Sequence, residues 1–183
     1  MSEPELTPIG SIGFFTVYPN GEIFQAVEYR YYEKKGYYRG VLESRELLER
    51  EKKILRRGME NILSEERVLI NGQEVSWRVF EPDILLPDYQ YPVIVFHISM
   101  PFSIMKGRNI YEEYYEEAIA EYSYTAYWYF PRCMQALNVE ASGQVRVSDN
   151  NRLVVIKVSK GDHIEGYESL LFENKCRLCL TSV

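Results

Sequence analysis

Three short turn signals, each set between β-prone runs, constrain this chain more than any other feature. Pro19-Asn20-Gly21 separates Phe14-Phe15-Thr16-Val17-Tyr18 from Glu22 to Tyr32, which is rich in aromatic and β-branched residues. Asn71-Gly72 separates Arg67-Val68-Leu69-Ile70 from Glu74 to Phe80, where Val75, Trp77 and Val79 alternate onto one face. Asp149-Asn150-Asn151 divides Gln144 to Val147 from Arg152 to Val158. Asn and Gly reach the positive φ angles of tight hairpin turns, and the flanking residue types suit a half-buried pleated surface. Lys34-Lys35-Gly36 breaks the first hairpin, with Tyr37-Tyr38-Arg39 as a possible return to strand. Lys160-Gly161-Asp162 marks a further turn, and Tyr167 to Phe172 a last strand.

One helix interrupts this pattern. From Ser44 to Leu63 the apolar residues Leu47, Leu48, Ile54, Leu55, Met59, Ile62 and Leu63 recur with a period near 3.6, and Ser44 is placed to cap the first turn. Glu51 falls inside that stripe and is assigned to its edge. The cations Arg45, Arg50, Lys52, Lys53, Arg56 and Arg57 are interleaved with Glu43, Glu46, Glu49, Glu51 and Glu60, a solvated face with local ion pairs. Further on, Val93-Ile94-Val95-Phe96 is an apolar run of the kind found in a central strand.

The segment 110–130 fits two patterns. As a helix it aligns Tyr111, Tyr114, Tyr115, Ala118, Ile119 and Tyr122 against Glu112, Glu113, Glu116 and Glu117, a solvated acidic face. As a strand its second half alternates Tyr122, Tyr124, Ala126, Trp128 and Phe130 with polar residues. The expectation is strand over about 119–130. The fold class is then α+β, mainly antiparallel and sandwich-like, with one amphipathic helix at about 44–63. Residues 1–10 are expected as a tail, 11–175 as one globular domain and 176–183 as a second tail.

Composition narrows function mostly by exclusion. A net charge of −6 with a pI near 5.1 argues against general nucleic-acid binding. No apolar run approaches the ~18 residues of a membrane-spanning helix, so a soluble, cytoplasmic protein is expected. Abundant Glu, Arg and Tyr with few Gln suit a thermophile. No glycine-rich phosphate loop, G-x-S-x-G or H-E-x-x-H occurs.

Metal chemistry has one candidate. Cys176-Arg177-Leu178-Cys179 has the spacing that lets two thiolates reach one zinc ion, and Cys133 and His163 would complete a tetrahedral set. The other histidine, His97, sits in an apolar strand, where a hydrogen-bonded structural role is commoner than catalysis.

Two partial resemblances follow. Helix 44–63, strands near 67–70, 74–80 and 93–99 and the helical alternative from 110 follow the α-β-β-β-α-β order of the PD-(D/E)xK nuclease core. Pro82-Asp83 ahead of Val93-Ile94-Val95-Phe96 is similar to that family's Asp-then-strand arrangement. The family places a carboxylate and a lysine on that strand to hold a divalent metal and stabilise phosphate charge. Here His97 and Ser99 stand there, so the resemblance implies a degenerate nucleic-acid-processing protein. The stretch from Ile156 to Gly166 resembles the hairpin rhythm of biotinyl/lipoyl domains but has no counterpart of their modified lysine.

The remaining signal is 16 Tyr, 8 Phe and 2 Trp. A domain of this size does not bury every such ring, and Tyr and Trp are enriched at interfaces. The expected function is therefore a non-catalytic interaction or assembly module without a cofactor, binding a protein partner or its own copy. Tyr122, Tyr124, Tyr127, Trp128 and Tyr129 form the expected surface.

Overall fold

The computed structural model describes residues 6–176. The chain begins with β1 (Leu6–Tyr18) and β2 (Glu22–Glu33), then α1 (Tyr37–Glu43) and α2 (Arg45–Glu65). Five strands follow: β3 (Arg67–Ile70), β4 (Gln73–Glu74), β5 (Arg78–Val79), β6 (Asp83–Asp88) and β7 (Tyr91–Pro101). Next come β8 (Gly107–Tyr114), β9 (Ala118–Ile119), β10 (Tyr124–Tyr129) and β11 (Met134–Glu140). The last four are β12 (Gln144–Ser148), β13 (Leu153–Val158), β14 (His163–Ile164) and β15 (Tyr167–Asn174).

An eight-stranded sheet runs β12-β13-β10-β1-β2-β7-β5, with β6 also paired to β7. A five-stranded sheet runs β11-β15-β8-β3-β4, and β14 pairs with β9. Among the described residues every pairing is antiparallel except β1 with β10. This is the α+β, mainly antiparallel, sandwich-like fold that the turn signals imply.

All three turns behave as their residues require. Gly21 has φ 84°, Asn71 and Gly72 have φ 56° and 74°, and Asp149, Asn150 and Asn151 all lie between 54° and 63°. Gly21 has a second constraint, because a Cβ there would meet the Phe102 carbonyl oxygen at 2.3 Å.

Registered neighbours share a face of a sheet, so pairing sorts the side chains. Phe15, Val17, Ile23, Met100, Trp128, Val154 and Ile156 of the large sheet pack against Val68, Ile70, Tyr111, Leu170 and Phe172 of the small one. Further along that inner face, Val27, Ile94, Phe96 and Ile98 pack under Tyr38 and Val41 of α1 and Met59 and Leu63 of α2. The small sheet and the helix pair therefore share the inner face, one covering each end.

Ser44 caps α2, its hydroxyl accepting from the Leu47 amide at 3.4 Å. The buried stripe of α2 is narrower than its pattern: Ile54 and Ile62 are each 52 % exposed, and the seam runs through Glu51, Met59 and Leu63. Glu51 is thus not an edge residue. At 6 % exposure it accepts from Tyr37 Oη (2.8 Å) and Tyr38 Oη (3.0 Å), which replace the water it gives up.

Other expectations are corrected by tertiary contacts. Tyr37 to Arg39 opens α1 rather than returning as a strand, because the Glu33 carboxylate accepts from the Tyr37 and Tyr38 amides and satisfies the first turn. Residues 6–10 belong to β1, not to a tail. The run 74–80 is not one strand: β4 stays in the small sheet, β5 joins the large one, and Trp77 between them packs against both cores. The helical alternative at 110 forms β8, and strand 119–130 is reduced to the short β9 and β10. The α-β-β-β-α-β core is therefore not formed: β7 is antiparallel to β2, β5 and β6, and no helix follows it among the described residues.

Candidate functional site

Alternation along β10 divides the expected aromatic surface into three. Trp128 points inward and is 1 % exposed, stacked on Phe15 with centroids 4.3 Å apart and edge-on to Tyr111 at 4.9 Å. It is a core residue, not part of a contact surface. Tyr127 and Tyr129 point outward, and Tyr129 is 41 % exposed. Tyr127 stacks on Phe14 (5.4 Å), its registered neighbour on β1, and on Tyr129 (6.5 Å). Farther across this outer face lie Phe24 and His97, with centroids 6.1 Å apart, and Phe80, capped by the Arg78 guanidinium at 4.8 Å. Tyr124 and Tyr122 belong to neither group; they line a cleft on the inner face.

That cleft, about 270 Å³, opens where the two sheets part. Its floor on the large sheet is built from small side chains, Ser11, Gly13 and Ala126, beside Gln25. Its opposite wall follows from register in the small sheet. Ile70, Tyr111 and Leu170 form one core row; the next row on the same face is Val68, Glu113 and Glu168. Glu66, at the C-cap of α2, lies two residues before Val68. Where the core would continue with apolar side chains, the chain supplies three carboxyl groups.

These groups are held by one another. Tyr111 Oη donates to Glu113 Oε2 at 2.6 Å, and Glu66 and Glu168 also share hydrogen bonds with Glu113. Burial, with the adjacent Glu113 charge second, pushes Glu66 up to about 8 and Glu168 well above the usual carboxylate range. Burial also raises Glu113, against the donors it accepts from. Glu113 thus lies at the centre of the group, with Tyr111, Glu66 and Glu168 around it. Burial likewise raises the phenols of Tyr124, to about 12, Tyr29 and Tyr115. In the sequence Glu113 reads as part of a solvated acidic run with Glu112, Glu116 and Glu117, and only strand pairing brings it together with Glu66 and Glu168.

A pH dependence follows. Glu66 binds its proton more tightly in the folded chain than at the ordinary value of 4.5, so the fold takes up protons between about 4.5 and 8. Stability is full below the lower value and falls as pH rises through the upper one. Discounted for partial exposure, the loss between about pH 5 and 8.5 is expected to be ~1–2 kcal/mol. In denaturant titrations across that range, Glu66→Gln should flatten the slope; an unchanged slope would contradict the assignment.

The expected zinc ligands are not assembled. Cys133 and Cys176 form a disulfide, which removes both thiolates, and His163 Nε2 pairs with Glu117 Oε1 at 2.7 Å in the β9–β14 region. Cys179 lies outside the described residues. Asp83 and His97 do meet, Oδ2 to Nε2 at 3.0 Å, on the outer face. Among the described residues no group of three His, Cys, Asp or Glu is placed to hold a metal ion, and no helix is long and apolar enough to cross a membrane.

No family model matches the chain. No curated protein matches it. Among solved structures it is similar to an aminopeptidase N family protein from Idiomarina loihiensis, at a TM-score of 0.41 and 6 % identity. The match covers 88 % of this chain but 29 % of that protein, and at this level it carries no reading of fold or activity.

Proposed function

We propose that this chain is a non-catalytic binding module that contacts a protein partner, or a second copy of itself, through the outer aromatic face of its large sheet. The observation that carries this reading is the Phe14–Tyr127–Tyr129 stack. Phe14 and Tyr129 are 39 % and 41 % exposed on β1 and β10, strands whose backbones are paired on both edges. Their exposure therefore serves no backbone pairing, and rigid aromatic rings are effective anchors at an interface. The contact residues on this face are Phe14, Tyr127 and Tyr129, in place of the five expected within 122–129.

Sedimentation over a wide concentration range, paired with partner capture, tests it. The double variant Phe14→Ser/Tyr129→Ser should weaken association at least about tenfold and change stability by less than ~1 kcal/mol, since both side chains are already partly in water. A monomer at every concentration, with capture identical for the variant, would remove the proposal. A nucleic-acid-processing role has the Asp83–His97 pair in its favour, and its test is Mg²⁺- or Mn²⁺-dependent cleavage of DNA or RNA. A cytoplasmic setting is compatible with the disulfide if the protein belongs to a hyperthermophile, whose intracellular proteins retain such bonds.

A further inference from the structure

Each main sheet ends in two edges, and among the described residues three of the four are blunted. An open edge offers unpaired backbone donors and acceptors to any passing strand. Folds ordinarily guard it with short strands, proline, bulges or charge. On the small sheet β4 has two residues, and β11 is bulged between Ala136 and Asn138 and gives its Ala136 amide to the Asn151 carbonyl at 2.7 Å. On the large sheet β5 has two residues, while β6 carries Asp83, Pro87 and Asp88 and loses register between Leu85 and Asp88.

The remaining edge, β12, has none of these devices. It pairs with β13 in unbroken register from Gln144 to Ser148 and holds no proline, glycine or acidic residue. Among the described residues no strand lies on its other side. Its two faces differ in chemistry. Val145 and Val147 are 39 % and 42 % exposed, although Ile156 and Val154, their registered neighbours on β13, are buried in the core. On the opposite face Arg146 is exposed, with Lys157 of β13 diagonal to it. Neither cation has an ion-pair partner among the described residues, in a chain of net charge −6.

We propose that β12 is a docking edge for an extended segment of another protein, one that alternates acidic with β-branched residues and adds a strand to the large sheet. Backbone hydrogen bonds hold such a segment, and its alternate side chains select it. On one face its apolar residues cover Val145 and Val147; on the other its carboxylates meet Arg146 and Lys157. A second copy is the poorer occupant. Antiparallel pairing of two β12 strands in full register sets Arg146 against Arg146 of the second copy, and like charges directly opposite are destabilising. The neighbouring registers that keep every side chain on its own face pair only 144–146 or only 146–148. The edge lies two strands from β10, so the docking does not rest on the aromatic contact.

The test is a titration of the isotope-labelled full chain with an end-blocked Val-Glu-Val-Glu-Val peptide, followed through the backbone amide resonances. At millimolar peptide the expected result is saturable shifts and slowed hydrogen exchange confined to β12 and the facing residues of β13. Two further versions are N-methylated at every valine or at every glutamate. One should lose binding and the other keep it, because the two sets of amides point to opposite edges of a strand. Val-Lys-Val-Lys-Val should not bind. Arg146→Glu should weaken the glutamate peptide at least about tenfold and admit the lysine peptide. The peptide comparisons use the unaltered chain, so a misfolded variant leaves the test intact. No saturable shifts at β12, both N-methylated versions behaving alike, equal binding of the lysine peptide, or self-pairing of β12 as the chain is concentrated would each overturn the proposal.

Discussion

Trp128→Ala is expected to destabilise the fold by about 3–5 kcal/mol, measured as a shift in denaturant midpoint at constant slope. The indole is 1 % exposed and is sandwiched between Phe15 on the same sheet and Tyr111 on the other, so truncation opens a cavity where the two sheets meet. Neighbouring rings that large do not collapse into such a space without leaving their rotamers, so most of the transfer and cavity cost remains. Trp128→Phe should recover more than half of the loss. The contrast with Tyr129→Ala, one residue along, is the sharpest check on the assignment of faces. That side chain is 41 % exposed, and its truncation should cost less than ~1 kcal/mol. Comparable losses for the two variants would mean that the register of β10 is misassigned.

Breaking the Cys133–Cys176 bond has the second largest expected effect. The bond ties the residue preceding β11 to the residue two beyond β15, and Lys175 N also donates to Cys133 O at 2.8 Å. It closes a loop with a sequence separation of 43, for which the chain-entropy relation gives about 4 kcal/mol. Reduction, or the double substitution Cys133→Ser/Cys176→Ser, should lower stability by roughly 2–4 kcal/mol, since measured values often fall below that relation. Cys176 is 5 % exposed, so reduction should be slow in the native state and fast in denaturant. Thiol titration of the unfolded, unreduced protein provides an independent count. Of its three cysteines one should react, and three reactive thiols would exclude the bond.

Local chemistry was legible wherever a residue's conformation or spacing is its own cause. The three turns sit where Asn, Asp and Gly allow positive φ, and helix 44–63 matches α2, shifted by one residue at its start and two at its end. The hydroxyl of Ser44 accepts where an N-cap should. Legibility failed where a distant partner decided the outcome. Tyr37 and Tyr38 look like strand residues, yet the carboxylates of Glu33 and Glu51 hold them in and against helices. Glu51 looked like a stripe edge because its two phenol donors come from another element. The CxxC spacing at 176–179 suggested metal, and Cys133, 43 residues away, supplied a different partner for Cys176.

The sequence by itself determined that this chain pleats into antiparallel hairpins with one long amphipathic helix, because turn conformation and side-chain periodicity are local properties of the backbone. Tertiary structure alone decided what the aromatic strand is for. A shift of one residue along β10 moves a ring between the inner face, which holds both the core and the cleft, and the outer face, and pairing with β1 and β13 sets which. Pairing of β8 with β15 in the other sheet brings Glu113 opposite Glu168, across from Gly13 and Ser11, making an acidic, tyrosine-walled cleft from residues that no spacing in the chain connects.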